Sequence, residues 1–408
     1  MKHSLARLVV IAGLVLSAAH PAVAQKKYAP GITDTEIKFG QTLPLSGPVS
    51  AYGQIGRAEE AYFQMINDQG GVNGRKLTLV QADDGYSPPK TVEQTRKLVE
   101  EQKVAFIFSS IGTPTNLSVE KYLNDRKVPQ LWIGSGSHDF AQPKRFPWTI
   151  AFLPSYLIQG SIYAKYILAN KPDAKIAVLR QNDDFGKDLY DGFVGGLGDK
   201  AKQMIVATAT YEVSDPSVDQ QVISLRGSGA DTLFVAATPK FSAQAIRKVY
   251  DIGWKPLYFV NFEGSAVSAV LKPAGLDKSV GLISTAYLKD PTDPQWKDDP
   301  GFKDWLAWMN KYMPGGDVAD LFNITGYTEG MMLVHILKAC GDDLSRENIM
   351  HQVMNLKHVT LPTFQPGVEI DTAPDDYVPL KQMRLVRFDG KTWVPFGSAI
   401  TGQLSSLR

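Results

Sequence analysis

The residues of this chain best placed to do chemistry sit in short loops, and most are hydrogen-bond donors instead of nucleophiles. Ile111-Gly112-Thr113-Pro114-Thr115 follows a strand-like run and opens a helical one, with Thr113 placed to cap it ahead of Pro114. Gly134-Ser135-Gly136-Ser137 follows the next strand-like run. Hydroxyls and helix-start N–H groups are ready donors for an anion such as a carboxylate, although the same residues also serve in ordinary caps and turns. Glu263, just past the run Leu257 to Val260, offers the opposite charge. Ser135, His138 and Asp139 are the residue types of a hydrolytic triad. However, no G-x-S-x-G surrounds either serine of that loop, and a triad is set by geometry, not adjacency. Gly195-Gly196-Leu197-Gly198 ends a helical pattern instead of following a strand, so it is no dinucleotide fingerprint. The six histidines lack H-x-x-x-H spacing and the single Cys340 has no partner, so neither a metal, a cofactor nor an internal disulfide is expected. Asp83-Asp84, Asp183-Asp184 and Asp298-Asp299 lack calcium-loop spacing and read as caps and turns.

The elements that must position these residues alternate in type. Ile37 to Leu43 reads as a strand, followed after a glycine turn by a helix with Ile55, Ala58, Tyr62 and Ile66 on one face, which Gly70-Gly71 ends. Leu77 to Gln81, Val104 to Ser109 and Gln130 to Ile133 repeat the strand pattern with helices between them. Pro143 to Pro154 breaks the rhythm, and a second series then runs from the helix Ser155 to Leu168 through strands near 175–179, 204–210, 232–236 and 257–260. Gly281 to Ala286 is again strand-like, helical patterns resume at Phe302 and Gly326, and Asp389-Gly390 reads as the turn of a late hairpin. The expectation is an α/β chain of two doubly wound parallel-sheet lobes joined by a multi-strand hinge, crossed about three times. Ligands of such sheets bind outside the carboxyl ends of the strands, which places the expected site between the lobes.

At the N-terminus, Lys2 and Arg7 precede an apolar run from Leu8 to Leu16, and Ala22-Val23-Ala24 supplies a small-x-small cleavage pattern. Residues 1–24 are therefore expected to be a secretory leader, with the mature chain exported to the periplasm. The leader's apolar run is well short of the roughly 20 residues a membrane span needs. The 43 basic and 42 acidic side chains nearly balance, which argues against nucleic acid as a partner. At 408 residues and 44% hydrophobic content, two cores are the default expectation. The expected limits are 25–148 with about 287–362 for the first lobe, and about 149–286 with about 363–408 for the second.

Three segments resemble the periplasmic branched-chain amino-acid (leucine/isoleucine/valine) binding proteins of ABC transporters. They are IKFGQTLPLSGPVSAYGQ (37–54), INDQGGVNGRKLTLVQADDGYSP (66–88) and NDDFGKDLYDGF (182–193), in the family's order and spacing. The resemblance covers essentially the whole mature chain. It implies a type I periplasmic-binding fold that closes on its ligand like a venus flytrap, with no catalysis. It also implies a monomer that works with ABC permease and ATPase subunits.

By resemblance, Thr113, Thr115, Ser135, Gly136 and Ser137 fall at or near the positions that hold a ligand carboxylate. Tyr52 and Phe185 match aromatic contacts from the two lobes, Thr238 falls at a second-lobe loop, and Glu263 sits where the family pairs an acid with the ligand ammonium. Opposed to the donor loops, Glu263 would select a zwitterion; if it faces solvent, the ligand need not be an amino acid. Two segments depart from the pattern. The loop Trp132 to Phe140 lacks the usual alanine-rich form and adds His138, and Ala236-Ala237-Thr238-Pro239 lacks a glycine-tyrosine pair. Longer relatives take aromatic acids, amides or other carboxylates, so the expected ligand is a small amino acid or a related organic carboxylate. A receptor that signals instead of feeding a permease and, more remotely, an exported hydrolase stay open.

Overall fold

Burial along nearly all of Glu36–Leu43 marks a strand covered on both faces, the pattern of a parallel sheet flanked by helices. In the computed structural model, which describes residues 26–402, this strand pairs in parallel with Lys76–Asp83 along its whole length. The leader expected at 1–24 lies outside the described residues. Helix Gly53–Asp68 joins the two strands and buries Ile55, Ala58, Tyr62 and Ile66, the face that the 3.6-residue spacing predicts. It ends at Gly70 and Gly71, both with positive φ.

Two main sheets organise the molecule. The first is wholly parallel and runs in the order Lys76–Asp83, Glu36–Leu43, Ile107–Phe108, Gln130–Ile133, Thr149–Ala151. The second has seven strands in the order Trp393–Thr401, Gln382–Phe388, Ile283–Ala286, Leu257–Val260, Thr232–Ala236, Ile176–Gln181, Ile205–Tyr211. Its last five are parallel, and the hairpin Gln382–Thr401 turns through Gly390 and adds an antiparallel edge. The fold is thus α/β with two parallel-sheet lobes, the second carrying a mixed edge.

The proline-rich segment 143–154, expected to interrupt the first series, contains its fifth strand, Thr149–Ala151. Three residues flanked by Pro147 and Pro154 are too short to show an alternation. The expected strand Val104 to Ser109 is likewise a true ladder only at Ile107–Phe108.

After Ile283–Ala286 the chain returns to the first lobe as helices Pro300–Tyr312 and Leu321–Ala339. Leu321–Ala339 crosses helix Gly53–Asp68 at Gly326, where a Cβ would come within 2.5 Å of the Ile55 carbonyl oxygen. Gln54 Nε2 donates to Asn323 Oδ1 across the same contact at 2.6 Å. That close crossing fixes what the inward faces of both helices present. Among the described residues no helix is long and apolar enough to cross a membrane.

Candidate functional site

The donor loops of the first lobe meet through a bridge between Ile111 and Gly134 and a hydrogen bond from Gly112 N–H to the Gly134 carbonyl. Gly112, with φ of 106°, is the cap of helix Thr113–Asp125, so the helix starts one residue earlier than a Thr113 cap implies. A side chain at Gly112 would strike the Tyr86 ring at 2.5 Å. The positive end of the helix therefore opens directly on the space between the lobes. From the second lobe, Phe185 enters at the start of helix Asp184–Leu197, capped by Asp183, and Thr238 at the start of helix Pro239–Asp251.

Between these elements lies a partly open cavity, with about 520 Å³ of space between its walls once the solvent at its mouth is included. Of the expected site residues, Tyr52, Thr113, Phe185, Thr238 and Glu263 line it. Four do not. Thr115 is buried and donates back to the Ile111 carbonyl at 2.7 Å, one helical turn below. Ser135 sits behind Thr113 with the two hydroxyl oxygens 2.8 Å apart, and its oxygen also accepts from Ser137 N–H. Gly136 is pressed on the next segment, where a Cβ would lie 2.1 Å from the Pro154 carbonyl oxygen. Ser137 points at the second lobe instead, donating to Asp188 Oδ2 at 2.6 Å. Thr115 is turned away by its bond back along the helix, and Ser135, Gly136 and Ser137 by the contacts their loop makes after Gly134.

His138 Nδ1 also pairs with Asp188, 2.9 Å from Oδ1, and that hydrogen bond raises its pKa. Ser135 and His138 are thus committed to different partners, and the three residues of the considered triad are not arranged as one. The acidic runs act largely as caps: Asp83 accepts from Leu45, Ser46 and Gly85 N–H groups, and Asp299 from Phe302. Spacing along the chain could not show that His358, Glu369 and Asp371 come together at the surface, brought there by the bridge between Val359 and Ile370.

Glu263 follows strand Leu257–Val260 in a short turn and is 6% exposed. Its Oε2 accepts from Asn261 Nδ2 at 2.6 Å and its Oε1 from the Tyr156 hydroxyl at 3.2 Å. Burial raises its pKa above the ordinary carboxylate value, while both hydrogen bonds act to keep it ionised. Both partners are neutral, so the carboxylate faces the cavity without a charge-balancing cation among its hydrogen-bond partners.

The remaining wall is aromatic and was only partly foreseen. Tyr52 packs on Phe322 with ring centroids 5.2 Å apart, and Phe185 meets Tyr156 edge-on at 5.3 Å. Tyr86 and Phe262 also line the space. Tyr86 lies in segment 66–88, which carries the family resemblance without assigning this residue a role, and its backbone has a φ of 62°. Glu329, from the long helix Leu321–Ala339, lines the cavity from the first lobe. Nothing in its sequence neighbourhood signals that placement.

Residues 36–392 match the family described as periplasmic binding protein. A Leu/Ile/Val-binding protein homolog from Brucella melitensis is 25% identical over 306 residues, covering 74% of this chain and 78% of that one. The structure of a branched-chain amino acid ABC transporter protein from Thermus thermophilus with bound valine superposes with a TM-score of 0.80 at 18% identity, covering 91% of this chain and 98% of that one. A solute-binding protein of an R. palustris ABC transporter in complex with benzoate gives 0.74 at 18% identity, covering 90% and 98%. With two parallel-sheet lobes around one lined cavity and a family match spanning both, this chain belongs to the periplasmic binding protein family.

Proposed function

We propose that the chain is the solute-binding component of an ABC importer and captures a small amino acid or related carboxylate in the interlobe cavity. The observation that carries this reading is Glu263, a buried carboxylate with neutral partners in the same cavity as the start of helix Thr113–Asp125. Gly112 and Thr113, backed by Ser135, receive the ligand carboxylate. Glu263 receives the ammonium. Tyr52 and Phe185 clasp the body of the ligand from opposite lobes, and Thr238 adds a hydroxyl from the second lobe. Thr115, Gly136 and Ser137 hold the donor loops in place. Closure then depends on contacts that both lobes make only when ligand bridges them.

On this reading the lobes divide near residues 149, 287 and 363. Residues 1–24 direct export to the periplasm, where permease and ATPase subunits receive the ligand from a monomer. The family membership and the likeness to a valine-bound protein support the amino-acid form, and the likeness to a benzoate-bound protein supports a plain carboxylate.

A thermal-shift comparison of amino acids with their deaminated analogues decides between these forms, because ligand stabilises the folded state by mass action. Leucine raising the midpoint while 4-methylpentanoate does not is the expected result. Stabilisation by benzoate or other acids without an amine, and by no amino acid, removes the ammonium role of Glu263. Stabilisation by neither class overturns the reading.

A further inference from the structure

Glu329 is a second carboxyl on the cavity wall, and the proposed headgroup contacts leave it unused. It lies on the face of helix Leu321–Ala339 that also presents Phe322 and Thr325 to the cavity. Burying a carboxyl in an apolar wall is costly, and a helix needing only to pack would do better with a hydrocarbon side chain. Here the carboxyl is supported from behind. The Ser109 hydroxyl donates to Glu329 Oε2. Glu59, fully buried on helix Gly53–Asp68, lies against Glu329, and its own pKa is raised strongly by burial and then by the neighbouring Glu329 charge. Gln41 Nε2 donates to Glu59, and Gln81 Nε2 donates to Gln41 Oε1 at 2.9 Å. Tyr287, close enough to feel the charges of both Glu329 and Glu263, buries a hydroxyl without a partner among the described residues. A chain of polar groups thus runs from the sheet through Glu59 and ends at the ligand space.

We propose that Glu329 is a second polar subsite of the cavity and that the preferred ligand offers it a hydrogen-bond donor, a hydroxyl or amide N–H, beyond its headgroup. The proposal rests on the ligand-binding function argued above and narrows it, since a cavity built to bond a polar group rejects the hydrocarbon analogue far better than an apolar pocket rejects an added hydroxyl. Glu59 and Ser109 are positioning residues that keep the acceptor aimed at the cavity.

The test is calorimetric titration of the purified chain with matched pairs: valine and threonine, leucine and asparagine, phenylalanine and tyrosine, benzoate and 4-hydroxybenzoate. At pH 8, above the value of about 7 to which burial raises Glu329, the donor-bearing member of the pair that fits should bind about tenfold tighter or better, the scale of one hydrogen bond to a charged group. Glu329→Leu should erase or invert that preference and keep binding of the hydrocarbon member. Glu329→Gln, which preserves shape, should weaken the preference and stands in if the leucine variant does not fold. Binding of both members without discrimination, or a preference unchanged in the variants, overturns the subsite alone. Failure of every pair to bind overturns the underlying function and this inference together.

Discussion

The two carboxyls on the cavity wall come from opposite lobes and are kept in the protein interior by different means. Glu263 in the second lobe accepts from Asn261 and Tyr156, both neutral, so its carboxyl has no cation among its hydrogen-bond partners. Glu329 in the first lobe is backed by Ser109 and by a second carboxyl, Glu59, and burial pushes it up to about 7. Two carboxyls in contact cannot both ionise cheaply, so the first-lobe pair gives up its protons less readily than free carboxyls do. One lobe therefore offers a plain counter-ion and the other a hydrogen-bonding acid pair poised near neutrality. The difference separates charge recognition from recognition of a polar group.

The comparison breaks most visibly at Glu263. Glu263→Gln should weaken ligands bearing an ammonium by about 100-fold, the scale of a lost buried charge pair, and leave deaminated analogues unchanged in calorimetric titrations. Next comes the helix crossing that brings Glu59 to Glu329. Gly326→Ala forces a Cβ against the Ile55 carbonyl oxygen and should cost about 1–3 kcal/mol in urea denaturation. A smaller effect sharpens the contrast through pH. The folded chain keeps a proton on Glu329 up to about pH 7, whereas an unfolded glutamate releases it near 4.5, so stability falls as pH rises through that window. Glu59, Ser109 and Tyr287 face the group, and burial raises the pKa of Glu59 as well, so it acts with the same sign. Urea midpoints between pH 5 and 8 should decline, and Glu329→Gln should flatten the decline by on the order of 1 kcal/mol. Some slope should remain, because buried Glu120, raised to about 8, and Asp320, raised to about 6, act with the same sign. The smallest effect belongs to Tyr156→Phe, which removes a neutral donor 3.2 Å from Glu263 and should cost about 1 kcal/mol in amino-acid affinity.

Much of the fold was legible because its signals are local. The buried face of helix Gly53–Asp68, the run Gln130–Ile133 and the turn at Gly390 each follow from a few neighbouring residues. Thr149–Ala151 was missed because three residues among prolines carry no period. Tyr52, Thr113, Phe185, Thr238 and Glu263 could be found because each sits at a strand end or helix start, where an α/β fold must open its cleft. Thr115, Gly136 and Ser137 sit in equally suitable loops, yet one bonds back along its helix, one packs on Pro154 and one turns to Asp188. Composition and spacing are the same for a residue facing the cavity and for one facing away.

The sequence by itself determined the two-lobed α/β alternation, the leader pattern and the loops where binding groups could lie, since hydrophobic period, glycine turns and helix caps are written within a few residues of each other. Only the tertiary structure decided which side chains face the cavity and which charges meet. Glu329 reaches Ser109, 220 positions away, because helix Leu321–Ala339 returns to cross Gly53–Asp68 at a glycine, and His358 meets Glu369 and Asp371 beside an isolated bridge between Val359 and Ile370. Such contacts depend on the summed packing of distant segments, and no short stretch of chain records that sum.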